Sequence, residues 1–577
     1  MRRAFRIKLR IIALGILVVV LVLVAKLYYL QIMKGEEYAL FAEHQYLNSS
    51  QQLFSRGSIF FTRKDGTLIS AATITTGFLV SINPMQLTDP NAAYAAITTF
   101  VPTVDRDAFY ASAAKKTDPY EVVAHQVSEA DGRALDALNI PGVHVERERW
   151  RSYPAGIGAA QSIGLIGFDN DNTIAGRFGL ERRYDDTLQE SSQGLFGNFF
   201  AQLFANLDGV VVDARSAREG DVITSIEPVA QQKLDQILKS VNDQYRSTET
   251  GGIIMNPKTG EIIALDTYPT FDPNNFRNEN SNYFGNHLVE RRYEFGSIFK
   301  ALTMAGGLDA GVVTPSTTYN DTGCITIDKK KICNYDKKAR GVVPMQEVLS
   351  QSLNVGASYV ASQLGHTRFR DYYTKLGLGT ETGIDLPSEI PGDIRNLNQN
   401  RDVYFATASF GQGIATTPVE TIRALGALAN GGDVMTPHLA TSIRLSSGIT
   451  KSLAWGQPQS VYSPKATREV TEMLVKVVDT KLGGGKVKIP EMSVAAKTGT
   501  AQIAGSDGNY YESLYFHSFF GYFPAYDPKF IILLYTREPK GVQYASETLT
   551  TPFIDLTHFL INYYDIPPDR APVTNTL

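Results

Sequence analysis

Ser297 and Lys300 stand three residues apart in the segment RRYEFGSIFKALTMAGGLDAG. From about Ser297 to Gly307 this segment is apolar nearly all round (Ile298, Phe299, Ala301, Leu302, Met304, Ala305), which predicts a helix inside a core. A lysine is almost never buried without a partner, so Lys300 is out of place unless it has a task. The spacing puts Ser297 on the same helical face, one turn nearer the positive end of the helix. Burial disfavours the charged amine and lowers its pKa. A neutral Lys300 can then take the serine proton and make Ser297 a nucleophile.

Two further segments could complete such a site. Ser352-Leu353-Asn354 lies in the helical run QEVLSQSLNVGASYVASQLG, and Lys497-Thr498-Gly499-Thr500 follows the strand-like MSVAA. Each is weak alone, and the chain contains decoys in the same order: Ser112-x-x-Lys115, Ser240-Val241-Asn242 and Lys258-Thr259-Gly260. Context separates the two sets. Ser112 sits in a polar stretch with no reason to be buried, and Lys258-Thr259-Gly260 is the tip of an expected hairpin. The other set is spaced by 55 and then 145 positions, which leaves room for a helical subdomain between a helix and a strand that converge on one cleft.

Together, Ser297-x-x-Lys300, Ser352-x-Asn354 and Lys497-Thr498-Gly499 resemble the three signature motifs of penicillin-binding proteins and serine β-lactamases. The resemblance implies that Ser297 attacks the carbonyl of a terminal D-Ala-D-Ala unit, that Lys300 accepts its proton, and that the acyl group is held as an ester. Ser352 would relay the proton to the leaving amine, and Asn354 would hold Lys300 and a substrate amide. Lys497 would depress the Lys300 pKa further and draw in the substrate carboxylate, aided by the Thr498 and Thr500 hydroxyls. The N–H groups of Ser297 and Thr500 would form the oxyanion hole.

Other segments narrow the resemblance to class B penicillin-binding proteins, monofunctional D,D-transpeptidases. LYYLQIMKGEEYALFAEHQ, Arg56-Gly57-Ser58-Ile59, RSYPAGIGAAQSIGLIGFDND and GLERRYDDTL are similar to that class's anchor and non-catalytic pedestal. YPTFDPNNF, GIDLPSEIPG and SFGQGIATTP are similar to its transpeptidase part. Phe295 departs from the family's usual proline, and GNFFAQLFANLDG (197–209) matches no known pattern. The YEFGS context and short pedestal look more like septal enzymes than elongation-specific ones. A β-lactamase would need a water-activating base that cannot be assigned here, and a penicillin sensor would carry several membrane spans. A catalytically silent scaffold would have lost a reacting group. The resemblance also implies β-lactams as inhibitors, peptidoglycan stem peptides as donor and acceptor, no cofactor, and a polytopic glycosyltransferase as partner.

The elements that must position these residues follow from the rest of the chain. Its 577 residues are 43% hydrophobic and 20% charged, ordinary globular values with material for several cores. Fifty-nine acids against 55 bases leave no basic field for nucleic acid. No histidine pair has a metal-ligand spacing, and two cysteines exclude a four-cysteine zinc site. Residues 1–10 carry five bases and no acid, and Ile11 to Met33 would form ~34 Å of helix, enough to span a bilayer. The basic end stays cytoplasmic by the positive-inside rule. A single-pass anchor (11–33) in the bacterial cytoplasmic membrane is therefore expected, with a mixed-strand pedestal at 34–220. An α/β (α+β) transpeptidase domain at 221–565, a sheet flanked by helices, and a loose tail at 566–577 would follow. In that oxidising compartment Cys324 and Cys333, on an expected hairpin, are expected to pair as a disulfide.

Overall fold

A computed structural model describes residues 55–168, 174–189, 219–505 and 509–571. The basic segment 1–10, the anchor read at 11–33 and the segment 197–209 lie outside the described residues. Among those described, no helix is long and apolar enough to cross a membrane. The chain divides into two compact units, one built on Ile74–Arg151 and the other on Gly57–Thr73 and the described residues from Ser152 onward.

The smaller unit is built by local signals. Helix Pro90–Phe100 starts where the Asp89 carboxylate accepts from the Asn91 and Ala92 N–H groups. Asp105 and Ser128 cap helices Arg106–Ala113 and Glu129–Asp136 in the same manner. Ile97, Phe109 and Leu135 from these helices meet Val80 and Ile82 in a small core.

The larger unit opens with β1 (Ile59–Thr62) and the first residues of β2 (Leu68–Ile82), which pair antiparallel around the Lys64-Asp65-Gly66 turn, while β2 from Ile74 belongs to the smaller unit. β3 (Gly220–Thr224) runs parallel to β1 and antiparallel to Ala440–Leu445. α1 (Pro228–Tyr245) begins at Glu227, whose carboxylate accepts from the Ala230 N–H, and buries Leu234, Ile237, Leu238 and Val241. β4 (Glu249–Met255) and β5 (Ile262–Tyr268) form the expected hairpin. There follow α2 (Phe299–Asp309), α3 (Asn354–Lys375, broken at Gly365) and α4 (Pro464–Thr480). β6 (Ala495–Ala504), β7 (Tyr510–Phe523), β8 (Phe530–Arg537) and α5 (Thr550–Tyr563) end the unit.

Five of these strands make one antiparallel sheet in the order β6-β7-β8-β4-β5, so β6 and β5 are its two edges. Side chains alternate between faces along a strand. In β8, Phe530, Ile532 and Leu534 join the core beneath α1 and α5, while Ile531, Leu533 and Tyr535 join the core shared with α2 and α4. The continuous apolar run FIILLYT is thus buried on both faces. The result is a mixed α/β unit.

The segment read as a loose tail from 566 is held as far as Arg570. Asp569 accepts from the Ser493 N–H at 2.6 Å, and Arg570 forks onto Asp479 at 2.9 and 3.1 Å. Sequence reading weighed the prolines there and could not see these distant partners.

Phe553 of α5 stacks on Phe519 with ring centroids 4.5 Å apart, above Gly521, where a Cβ would stand 2.4 Å from the Phe553 ring. Phe553→Ala is expected to cost about 3–5 kcal/mol of stability, read as a lower denaturant midpoint. A shift under about 1 kcal/mol would show that α5 does not hold the sheet.

Candidate active site

β6 has its outer edge against the turn Gly296–Ile298. Two glycines allow the approach. A Cβ on Gly499 would lie 2.4 Å from the Phe295 carbonyl, and one on Gly296, at φ +64°, would lie 2.8 Å from the Thr500 carbonyl. The Ser518 hydroxyl donates to the Phe295 carbonyl at 2.7 Å, and the Gly296 N–H donates to Gly411 at 3.1 Å. Phe295, which replaces the proline of the resembled motif, is buried edge-on to Phe516 at 5.1 Å. The turn is therefore fixed from both sides.

Ser297 sits in that tight 3₁₀ turn, with the α-helix proper starting at Phe299, two residues later than expected. Lys300, 1% exposed, points its ammonium back to the Ser297 Oγ at 3.0 Å. It also donates to the Ser352 carbonyl at 2.6 Å and the Ser352 Oγ at 3.1 Å. Lys497, 3% exposed, donates to the same Ser352 Oγ at 3.1 Å and to the Thr498 carbonyl at 3.0 Å. Ser297, Lys300, Ser352 and Lys497 thus form one chain of contacts drawn from three distant segments.

Ser352 corrects one expectation. It was read into a continuous helical run, but it lies in the break between helix Met345–Ser350 and α3, at φ +56°. In that left-handed turn its carbonyl and hydroxyl both face Lys300, which a helical serine could not offer, because its carbonyl would be directed along the helix axis. Asn354 also differs. Its amide donates to the Cys333 carbonyl at 2.8 Å, and the three donors of Lys300 go to Ser297 and Ser352. Cys324 and Cys333 form a disulfide across paired strands, and Asn334 accepts from the Val355 N–H at 3.2 Å. The clipped hairpin therefore buttresses the start of α3. The Thr500 hydroxyl accepts from the Ala545 N–H at 3.0 Å, which leaves its own proton to donate.

Burial pushes Lys300 well below the usual lysine range, and the neighbouring Lys497 charge lowers it further. Burial brings Lys497 down to about 7. Among the described residues no carboxylate lies within ion-pair distance of either ammonium. A neutral Lys300 accepts a proton from Ser297 over the same 3.0 Å contact that it spans as a donor.

The decoys are dispersed. Ser112 and Lys115 both bind Glu121 in the smaller unit, Ser240 and Asn242 lie on α1, and Lys258 pairs with Asp527 at a hairpin tip. Sequence reading missed Glu294, which accepts from the Tyr510 hydroxyl at 2.8 Å and the Gly413 N–H at 3.1 Å and is lifted by burial to about 7. It also missed Ser518, whose signal is a polar residue on a buried stretch of β7.

Residues 250–555 match the penicillin-binding protein transpeptidase domain, and residues 55–194 match the penicillin-binding protein dimerisation domain. Stage V sporulation protein D of Bacillus subtilis is 26% identical over 551 residues, covering 93% of this chain and 82% of that protein. A peptidoglycan D,D-transpeptidase FtsI of Buchnera aphidicola is 26% identical, covering 83% of this chain and 81% of its own length. The crystal structure of penicillin-binding protein 3 from Mycobacterium tuberculosis with aztreonam superposes with a TM-score of 0.68 at 21% identity, over 89% of this chain and 97% of that one.

Because both lysines have lower pKa values folded than unfolded, the folded state binds fewer protons between about pH 7 and 10.5. Their effect on stability therefore grows more favourable as pH rises through that window. Lys497→Met removes one such group and relieves Lys300 of its charge. Wild-type stability relative to Lys497→Met should rise steadily from pH 7 to 10 in denaturant titrations, and a flat difference would refute the depressed pKa.

Proposed function

The chain belongs to the penicillin-binding protein transpeptidase family, and from that premise we propose that Ser297 is its acylating nucleophile and Lys300 the base that activates it. The protein is a serine D-Ala-D-Ala transpeptidase of cell-wall synthesis. The observation that carries the residue assignment is the Lys300 ammonium, which touches both Ser297 and Ser352 within 3.1 Å.

In this reading Lys300 enters neutral and takes the Ser297 proton as Oγ attacks the penultimate D-Ala carbonyl. The developing oxyanion is received by the N–H groups of Ser297 and Thr500, each such donor lowering the barrier by ~3 kcal/mol. The proton passes from Lys300 through Ser352 to the departing amine of the terminal D-Ala, leaving an ester on Ser297. An acceptor amine from a second stem peptide then attacks the ester, gives its proton back along the same route, and forms the cross-link. Lys497, Thr498 and Thr500 hold the donor carboxylate, with Gly499 allowing the strand close to the turn. Asn354 acts through the disulfide hairpin and on the substrate amide rather than on Lys300.

The same reading anchors residues 11–33 in the cytoplasmic membrane, with 34–220 as pedestal and 221–565 as transpeptidase domain. The match of 55–194 to a dimerisation domain supports the pedestal. It assigns the enzyme to septal synthesis, supported by the YEFGS context and the short pedestal, and pairs it with a polytopic glycosyltransferase that contacts the anchor and pedestal. A fluorescent fusion gathering at midcell is expected, and uniform sidewall labelling would favour the elongation role.

Intact mass of the full-length chain after benzylpenicillin treatment should show one lasting adduct. Ser297→Ala should show none, and Lys300→Ala should slow acylation at least ~100-fold. An adduct that persists in Ser297→Ala would move the nucleophile elsewhere. Rapid drug hydrolysis with no adduct would indicate a β-lactamase.

A further inference from the structure

The residues leading into the catalytic turn, Arg291 to Phe295, lie between the short helix His287–Glu290 and the 3₁₀ turn Gly296–Ile298. Their backbone belongs to no regular helix or strand and pairs at a single bridge. There the Tyr293 N–H donates to the Thr416 carbonyl at 2.9 Å, and the Thr416 N–H donates back at 3.0 Å. Side chains must therefore do much of the work of placing this lead-in.

A carboxylate that the mechanism does not use is buried against it. Glu249, the first residue of β4, is 4% exposed and accepts four hydrogen bonds. Its Oε1 takes the Tyr293 hydroxyl at 2.7 Å and the Tyr535 hydroxyl at 2.6 Å. Its Oε2 takes His287 Nδ1 at 2.9 Å and Arg291 Nη1 at 3.3 Å. Three of these donors thus lie within the ten residues before Ser297, and the fourth is on β8. The Tyr293 ring stacks on Phe516 with centroids 4.8 Å apart, and Phe516 stacks on Tyr535 at 5.2 Å. The aromatic stack brings both hydroxyls to one carboxylate oxygen.

Packing gives no reason for a carboxylate here. Burying one is costly, and apolar side chains of similar volume would fill the space as well or better. Burial by itself would raise the Glu249 pKa. The bond and charge of His287, followed by the Tyr535 and Tyr293 hydroxyls, outweigh it and hold the group below its ordinary range. What an ionised acceptor adds to an aromatic core is direction, because charge-assisted hydrogen bonds are short and strong and lose their strength when bent.

We propose that Glu249 is a positioning residue for acylation, which by anchoring Tyr293 fixes the chain entering the catalytic turn and so the Ser297 hydroxyl against Lys300. This rests on Ser297 being the nucleophile. None of the four donors is a reacting group, so the effect passes along the backbone from Tyr293 to Ser297. The fixings further on, the Gly296 N–H on Gly411 and the Phe295 carbonyl on Ser518, require that the lead-in arrive in register. A displacement of about 1 Å at a reacting group can slow a reaction ~100-fold.

The test follows benzylpenicillin acylation of the full-length chain by quenched-flow mass spectrometry, which separates affinity of the non-covalent complex from the acylation rate constant. Tyr293→Phe keeps the ring stack and removes one hydroxyl from Glu249. Tyr535→Phe removes the other from the same oxygen but lies outside the lead-in. Tyr293→Phe should lower the acylation rate constant about tenfold or more, with affinity within about twofold of wild type. Tyr535→Phe should lower the melting temperature at least as much, yet slow acylation less than about threefold. Glu249→Gln should slow acylation at least as much as Tyr293→Phe, and the double variant should be no slower than Glu249→Gln, since both changes act through one bond. Should Glu249→Gln fail to fold, the two phenylalanine variants decide. An unchanged rate constant in Tyr293→Phe, losses in both phenylalanine variants that merely follow their melting temperatures, or additive losses in the double variant would each overturn the proposal. A wild-type adduct that persists in Ser297→Ala would instead overturn the nucleophile assignment beneath it.

Discussion

Two buried ammonium groups converge on one serine hydroxyl, and among the described residues no carboxylate compensates them. Everything else in the larger unit is arranged around this constraint. Desolvating a lysine is costly, and placing a second one beside it adds repulsion. The site meets that cost by letting the amines lose their protons and by giving each hydrogen-bond partners in Ser297, Ser352 and the Thr498 carbonyl. A carboxylate within reach would stabilise the charged amines and keep them protonated, unable to accept the serine proton. The electrostatic cost and the catalytic capacity are therefore the same property.

Holding such a site requires a rigid frame. The five-stranded sheet supplies it, buried on both faces, with β6 at one edge so that its signature residues are free to meet the Gly296–Ile298 turn. Gly296 and Gly499 let two backbones come closer than any side chain would permit, and Ser518 ties the turn to the sheet. The left-handed Ser352 is the strained member. Its neighbours are fixed by α3 and, through Asn354 and Asn334, by the disulfide-clipped hairpin. The clip and the second motif are thus mechanically joined.

Much of this was legible along the chain. The all-round apolar helix with one lysine identified Ser297 and Lys300, because burial of a charge is visible wherever hydrophobic periodicity is strong. The β4–β5 and β1–β2 hairpins were announced by their turn residues. The break at Ser352, the partner of Asn354, the anchoring of Asp569 and Arg570, and the burial of Glu294 against Tyr510 and Gly413 were not. In each of these a residue of ordinary local propensity is captured by a group tens or hundreds of positions away.

The sequence by itself determined which groups can react, since apolar periodicity dictates which side chains lose their water and thereby which lysine becomes a base. It also separated the reacting set from three decoys by their surroundings. Only the tertiary structure decided the geometry: that Ser352 leaves its helix, and that Lys300 spends all three donors on two serines. Local propensity acts over a few residues. Contacts over hundreds of positions are set by how whole faces of sheet and helix pack, and that packing turns these groups toward one another.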